Sequence, residues 1–277
     1  MQKSGTYTWF GYIAPFEERL KAIKDAGFDT ICSFWTKEME EADGRRVEQP
    51  EKADKYGLYL EHTHLNYYGC NALWNDDLKA EAMVETYLDD IRIAKEAGVK
   101  TLVIHPCEVF APDFGEYEIM RGHMKKLADE CGKFGIRLAI ENLGETEVIR
   151  RIINDLSENE YVGLCFDSGH HNIAEHNSFA LLREFKGRVF ATHIHDNNSE
   201  KDMHVLPYSE ECNVDWKKFM ENIEASYFEG SLMLEACYPI DYEKMTGEND
   251  ELLLTPDMPM QEWLRNAKEA CDRIYAE

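Results

Sequence analysis

A short apolar stretch, a polar break and an amphipathic stretch follow one another along this chain eight times. That repeat limits the possible folds more than any other feature. The apolar stretches lie near 6–13 (TYTWFGYI), 28–34, 58–66, 99–105, 136–142, 161–167, 188–195 and 230–236. Helical periodicity fills 16–26, 77–97, 116–134, 145–158, 178–186, 215–226 and 260–276, and more weakly 47–56. Strands separated by helices pair in parallel, and eight such units close into a barrel. Gly98 after KEA and Gly135 after GKF stand where a helix ends on a left-handed residue. The expected fold is therefore α/β, a single-domain (β/α)8 TIM barrel over 1–277. Its 277 residues suit a fold of about 250. No linker or low-complexity tract divides the chain. The acidic stretch 241–258 is long for a βα loop and reads as a top-face insertion: a solvated loop, a lid or a subunit contact.

Composition narrows the partners. With 54 acidic and 30 basic side chains the formal charge is −24. A field of that sign repels phosphate backbones and anionic membranes, so a general nucleic-acid binder is disfavoured. No apolar run approaches the ~20 residues of a membrane span, and MQKSGTYTWF has no apolar signal region. The eight cysteines form no C-x-x-C pair. Several of them, Cys32, Cys165 and Cys237 among them, sit in apolar runs, as buried thiols do. A reduced, cytoplasmic protein is expected.

Active sites of β/α barrels lie at the C-terminal ends of the strands. Strand 3 ends with His64, strand 4 with His105 in LVIHP, and strand 5 with Glu141 in LAIEN. Strand 6 ends with Asp167 in CFDSGHHN, with His170 three residues on. Strand 7 ends with His193 and His195 in THIHDN, and strand 8 with Glu235 in LMLEA. Alternation along a strand turns Val103, Ala139, Gly163, Cys165, Val189 and Ala191 inward with these groups. Leu102, Ile104, Leu138, Ile140, Leu164, Phe166, Leu232 and Leu234 then turn toward the helices. Carboxylates converging on one point repel one another. A divalent ion relieves that repulsion, and His, Asp and Glu suit Zn, Mn, Co or Mg. The KDMH segment adds Asp202 and His204, a second pocket beside His170. Trp9, Phe10, Phe34 and Trp35 near the ends of strands 1 and 2 offer an apolar wall for a ligand.

Taken together, LVIHP, LAIENL, CFDSGHH, THIHDN and LMLEA resemble the xylose isomerase-like TIM-barrel superfamily over nearly the whole chain. That group holds sugar isomerases and epimerases, inosose dehydratases and endonuclease IV-type enzymes. The resemblance implies one divalent metal held by Glu141, Asp167, His193 and Glu235. In the endonuclease IV-type members it implies further metals at His64, His105, His170, Asp202 and His204. One departure stands out. Relatives carry a Gly-Glu-Gly-like turn before an Asp-Trp, where this chain reads SEECNVDW from Ser209 to Trp216.

The leading expectation is a metal-dependent sugar or sugar-phosphate isomerase or epimerase working through an enediolate. Glu141 and Glu235 would be base and acid in either order. His170 or His105 would stabilise an enediolate oxygen or position a hydroxyl. The alternatives are an endonuclease IV-like trinuclear-zinc enzyme for abasic DNA and an inosose dehydratase-like lyase. The partner is a small carbohydrate, and a homo-oligomer is common in the resembled group.

Overall fold

The computed structural model describes residues 3–109, 112–238 and 257–277. Its eight strands are β1 (Ser4–Tyr7), β2 (Thr30–Trp35), β3 (Tyr59–Leu65), β4 (Thr101–Ile104), β5 (Arg137–Glu141), β6 (Val162–Asp167), β7 (Val189–His193) and β8 (Leu232–Leu234). They form one parallel sheet in the order 7-6-5-4-3-2-1-8. A parallel bridge between Ile194 and Leu234 brings β7 to β8 and closes the ring. The expected β/α barrel is thus the fold found.

The helices are α1 (Phe16–Asp25), α2 (Glu40–Asp43), α3 (Gln49–Lys55), α4 (Leu78–Ala97), α5 (Tyr117–Phe134), α6 (Thr146–Asp155), α7 (Ser168–Glu175), α8 (Ala180–Glu184), α9 (Trp216–Ala225) and α10 (Met260–Ile274). Asp77 caps α4 by accepting from Lys79 N and Ala80 N at 2.9 Å. Gly98 and Gly135 end α4 and α5 with φ of 77° and 65°, the left-handed stops that the sequence announces. Among the described residues no helix is long and apolar enough to cross a membrane.

The two-sided strands sort their side chains largely as alternation requires. Leu102, Ile104, Leu138, Ile140, Leu164, Phe166, Leu232 and Leu234 pack into the large core with the helices. Val103, Ala139, Cys165 and Ala191 form a separate small cluster inside the barrel. Val189 departs from the expectation. The β6–β7 register slips between Leu164 and Cys165, which face Val189 and Ala191. Phe190 is the extra residue. It packs against the interior cluster, while Val189 joins the outer core. A similar slip between β2 and β3 pairs Cys32 with His62, passing over Glu61.

One further expectation needs correction. The first strand ends at Tyr7 and does not reach residue 13. Only Ser4–Tyr7 runs between β2 and β8. Residues 168–175 carry a short helix, α7, which the hydrophobic periodicity does not mark. The Asp167 side chain caps it by accepting from His170 N at 2.6 Å. The acidic stretch 241–258 lies outside the described residues except for its last two.

Candidate active site

Elements β3 to β8 deliver their terminal polar side chains into one buried cluster at the mouth of the barrel. Glu141 from the end of β5 is its centre, only 1% exposed. Its Oε2 lies 3.2 Å from His64 Nε2, 3.2 Å from His105 Nε2 and 2.9 Å from His193 Nδ1. His193 Nδ1 also lies 3.0 Å from Glu235 Oε2. The other Glu141 oxygen, Oε1, lies 3.3 Å from His170 Nδ1. Glu141 therefore touches a second group on the far side. There Asp167 Oδ1 is 3.4 Å from His170 Nδ1 and 3.1 Å from His195 Nε2. Asp202 Oδ2 is 3.3 Å from His170 Nε2 and 3.2 Å from His204 Nε2.

Three imidazoles are oriented by backbone carbonyls. The Nδ1 atoms of His64, His170 and His204 lie 2.7, 3.1 and 2.9 Å from the carbonyls of Leu65, Asn142 and Glu235. A carbonyl only accepts, so each Nδ1 donates and each Nε2 is turned toward a carboxylate oxygen. A bare lone pair at that distance from a carboxylate repels it, so a proton or a cation must lie between. Metal-binding histidines are held in this way, by a carbonyl on the far nitrogen.

The electrostatics show how strongly positive charge is called for. Burial alone pushes the Glu141 carboxyl up, but the charges of His193 and His105 and the His105 and His170 hydrogen bonds hold it well below its usual range. Burial opposes the charge on His204, yet Asp202 raises its imidazole to about 10. Asp202 is itself held far below the ordinary carboxylate range against burial, by His170 and His204. His62 behaves oppositely. Burial and the neighbouring His193 and His64 push it well below 6.5.

The donor set fits a divalent cation. His193 Nδ1 and Glu235 Oε2 are buried and face each other, yet neither has a hydrogen-bond partner. Asp167 Oδ2, Asp202 Oδ1, His105 Nδ1 and His195 Nδ1 are likewise orphaned. Buried polar atoms without partners are costly, and a bound ion is one way that such a site is completed. Ligand atoms close enough to share an ion occur in the groups His64–His105–Glu141, His64–His193–Glu235 and His170–His195–Asp202–His204. Of the four ligands expected for one ion, Glu141, His193 and Glu235 meet directly, and Asp167 lies apart from His193 and Glu235 in the neighbouring group. The candidate ligands divide into two groups with Glu141 in contact with both, and Asp167 lies with His170 and His195.

The aromatic wall is only partly as expected. Phe34 is half-buried, its ring 5.4 Å from that of His64 and 4.9 Å from that of Tyr7. Trp9 is half-buried beyond the end of β1. Trp35 does not belong to the wall. Alternation turns it outward, where it is fully buried and donates through Nε1 to Gln49 Oε1 at 2.9 Å. Phe10 is also core, stacked on Trp263 of α10 at 5.4 Å.

Several site neighbours escaped the sequence reading. Tyr7 reaches across the barrel to His193 Nε2 at 3.0 Å. His62 lies parallel to His193, ring centroids 5.4 Å apart. Tyr67 lies 5.2 Å from His105. Asp196 organises the loop that carries Asp202 and His204. Its carboxylate accepts from Asn197 N, Tyr208 N, Val214 N and Trp216 Nε1 at 2.9–3.1 Å. The Asp-Asn of THIHDN and the Asp-Trp of NVDW are thus two ends of one tied loop, within which Glu211 takes a φ of 64°, a conformation that glycine adopts more readily.

Comparison with known proteins places these features in context. A family model described as xylose isomerase-like TIM barrel matches residues 20–266. The protein y4fM of Sinorhizobium fredii, described as uncharacterised, is 26% identical over 190 residues, 62% of this chain. The aligned part is 57% of that relative's length. Among solved structures, an L-ribulose 3-epimerase superposes with a TM-score of 0.75 at 17% identity, covering 100% of this chain and 96% of its own. D-psicose 3-epimerase from Clostridium cellulolyticum gives 0.76 at 15%, covering 99% of both chains. The 3-keto-D-glucoside 4-epimerase YcjR of E. coli gives 0.74 at 17%, covering 100% of both. At these identities the likeness is one of fold.

Proposed function

This chain belongs to the xylose isomerase-like TIM-barrel family, and from that premise we propose that it is a divalent-metal-dependent sugar isomerase or epimerase. One observation carries the reading. Glu141 Oε2 and Glu235 Oε2 lie 2.9 and 3.0 Å from His193 Nδ1 at the barrel mouth, and the last two atoms have no hydrogen-bond partner. The names of the structural neighbours, 3-epimerases of L-ribulose and D-psicose among them, support a ketose as the substrate class.

Glu141, Asp167, His193 and Glu235 would hold the ion, which when bound supplies Lewis-acid polarisation of a sugar carbonyl and its neighbouring hydroxyl. The residues do the proton work. A carboxylate from β5 or β8 takes the proton from the carbon beside the carbonyl, and the electron pair passes into an enediolate. The opposite carboxyl returns a proton to the other face for epimerisation, or to the adjacent carbon for isomerisation. Glu235 has a 12% exposed side chain against 1% for Glu141, so it is the more accessible of the pair. His170 and His105, each 4% exposed, line the same mouth and can fix substrate hydroxyls. Phe34 offers a flat apolar face to the sugar ring.

The test is recovery of ketohexoses, ketopentoses and their phosphates from D2O after incubation with the Mn-, Co-, Mg- or Zn-loaded chain. The expected result is deuterium at the carbon beside the carbonyl in at least one sugar. A Glu141→Gln variant is expected to lose 10²–10⁴-fold of that exchange. Exchange undiminished in the variant would remove the mechanism.

A second reading has an observation of its own. The His170–His195–Asp202–His204 group is a second candidate ion site beside the first, as a multinuclear phosphodiesterase needs. The charge of −24 weighs against a DNA substrate. Cleavage of an abasic oligonucleotide at low salt with zinc would favour this reading.

A further inference from the structure

The His193 ring offers two nitrogens, and only one can serve an ion at the mouth. Nδ1 is the nitrogen at 2.9 and 3.0 Å from Glu141 and Glu235. To be a ligand it must present a lone pair, so the neutral ring must carry its proton on Nε2. That proton lies in the barrel interior, where His193 is 0% exposed. The hydrogen bond made by Nε2 is to the Tyr7 hydroxyl, 3.0 Å away across the barrel from β1, and Tyr7 is itself only 1% exposed. The two rings meet edge to face with centroids 5.3 Å apart. Phe34, at 4.9 Å, packs against Tyr7 and limits its movement. His64, His170 and His204 have their far nitrogens held by carbonyls; His193 has a phenol in that role.

We propose that Tyr7 is a positioning residue whose hydroxyl oxygen accepts the Nε2–H of His193 and so fixes the tautomer that leaves Nδ1 free for a divalent ion. Without that acceptor, an Nε2–H would be buried with only the Cys32 and Cys165 thiols, which are weak acceptors, near the ring. The proton then sits better on Nδ1, where the negative charge of the Glu141 and Glu235 carboxylates, 2.9 and 3.0 Å away, attracts it. In that tautomer His193 cannot bind a cation until it is reorganised, and loss of such an outer partner typically costs 10–100-fold in metal affinity. The inference rests on the reading of His193 as a metal ligand.

The experiment compares the full chain with its Tyr7→Phe variant, which keeps the ring and its packing. Zinc and manganese affinities are measured by chelator competition. Histidine side-chain 15N–1H NMR reports the His193 tautomer, and melting of the metal-free proteins checks the fold. The expected result is a 10–100-fold weaker affinity for Tyr7→Phe, with the His193 proton on Nε2 in the zinc-bound parent. Equal affinities in a variant that melts like the parent would overturn the inference. If Tyr7→Phe fails to fold, the parent's spectrum decides instead: Nε2 protonated with zinc bound supports the assignment, and zinc bound through Nε2 overturns it. A parent chain that binds neither metal removes the reading beneath, which is a different outcome from a parent that binds and a variant that binds equally well.

Discussion

At the scale of single residues, the chemistry was legible where the residue type was conspicuous for its place. A histidine or carboxylate at the C-terminal end of an apolar strand is out of keeping with its neighbours, and Glu141, Asp167, His193 and Glu235 could be picked out on that ground. Tyr7 could not, because a tyrosine in a strand is ordinary. Its importance depends on a partner 186 positions away. Trp35 was misassigned although alternation was available: with Phe34 facing in, its neighbour must face out. Gly169 shows a constraint that only coordinates reveal. A Cβ there would stand 1.9 Å from His195 Cε1. Gly169→Ala must therefore displace the His195 ring from Asp167 and Asp202. The expected cost is ~1–3 kcal/mol of stability, read as a lower melting temperature, together with weaker metal uptake by the His170–Asp202–His204 group. An alanine variant that melts and binds like the parent would show that the ring has room to move.

Among elements, hydrophobic periodicity located the strands and most helices because burial on one face leaves a regular trace. It did not locate α7, whose sequence SGHHNIAE has little apolar character; α7 is held by the Asp167 cap and by burial of its first turn. Nor did it show the register slips at Glu61 and Phe190, since a single extra residue leaves the apolar content of a strand unchanged. The link between α4 and the turn before α3 was also hidden. Asp90 of α4 is 1% exposed and paired with Arg46, which also binds Glu40 at 3.0 Å. Burial outweighs the Arg46 charge and raises the Asp90 carboxyl to about 7. Between its unfolded value near ~3.9 and about 7, the folded chain holds a proton that the unfolded chain has released. Stability attributable to this group is therefore greatest below ~4 and declines as pH rises to about 7. The decline is at most ~1.4 kcal/mol per pH unit. Denaturant melts of the parent and Asp90→Asn across pH 4–8 should differ in slope within that window and run parallel above it. Identical slopes throughout would show that Asp90 ionises normally.

Over the whole molecule, the strand and helix count was enough to read a barrel, because eight β/α units leave few other closed arrangements. The position of the site followed from the fold. Its division into two groups sharing Glu141 did not, since that depends on which carboxylate oxygen each imidazole reaches. The −24 charge and the buried cluster belong together: a strongly negative molecule draws cations toward a mouth whose imidazoles and carboxylates need positive charge between them. The most direct test is the metal content of the chain, purified without chelator, by elemental analysis, alongside Glu141→Gln and Glu235→Gln. The account predicts at least one divalent ion per parent chain and clear loss of it in both variants. A folded parent that carries no divalent ion, and takes up none when Zn, Mn, Co and Mg are supplied, would contradict it.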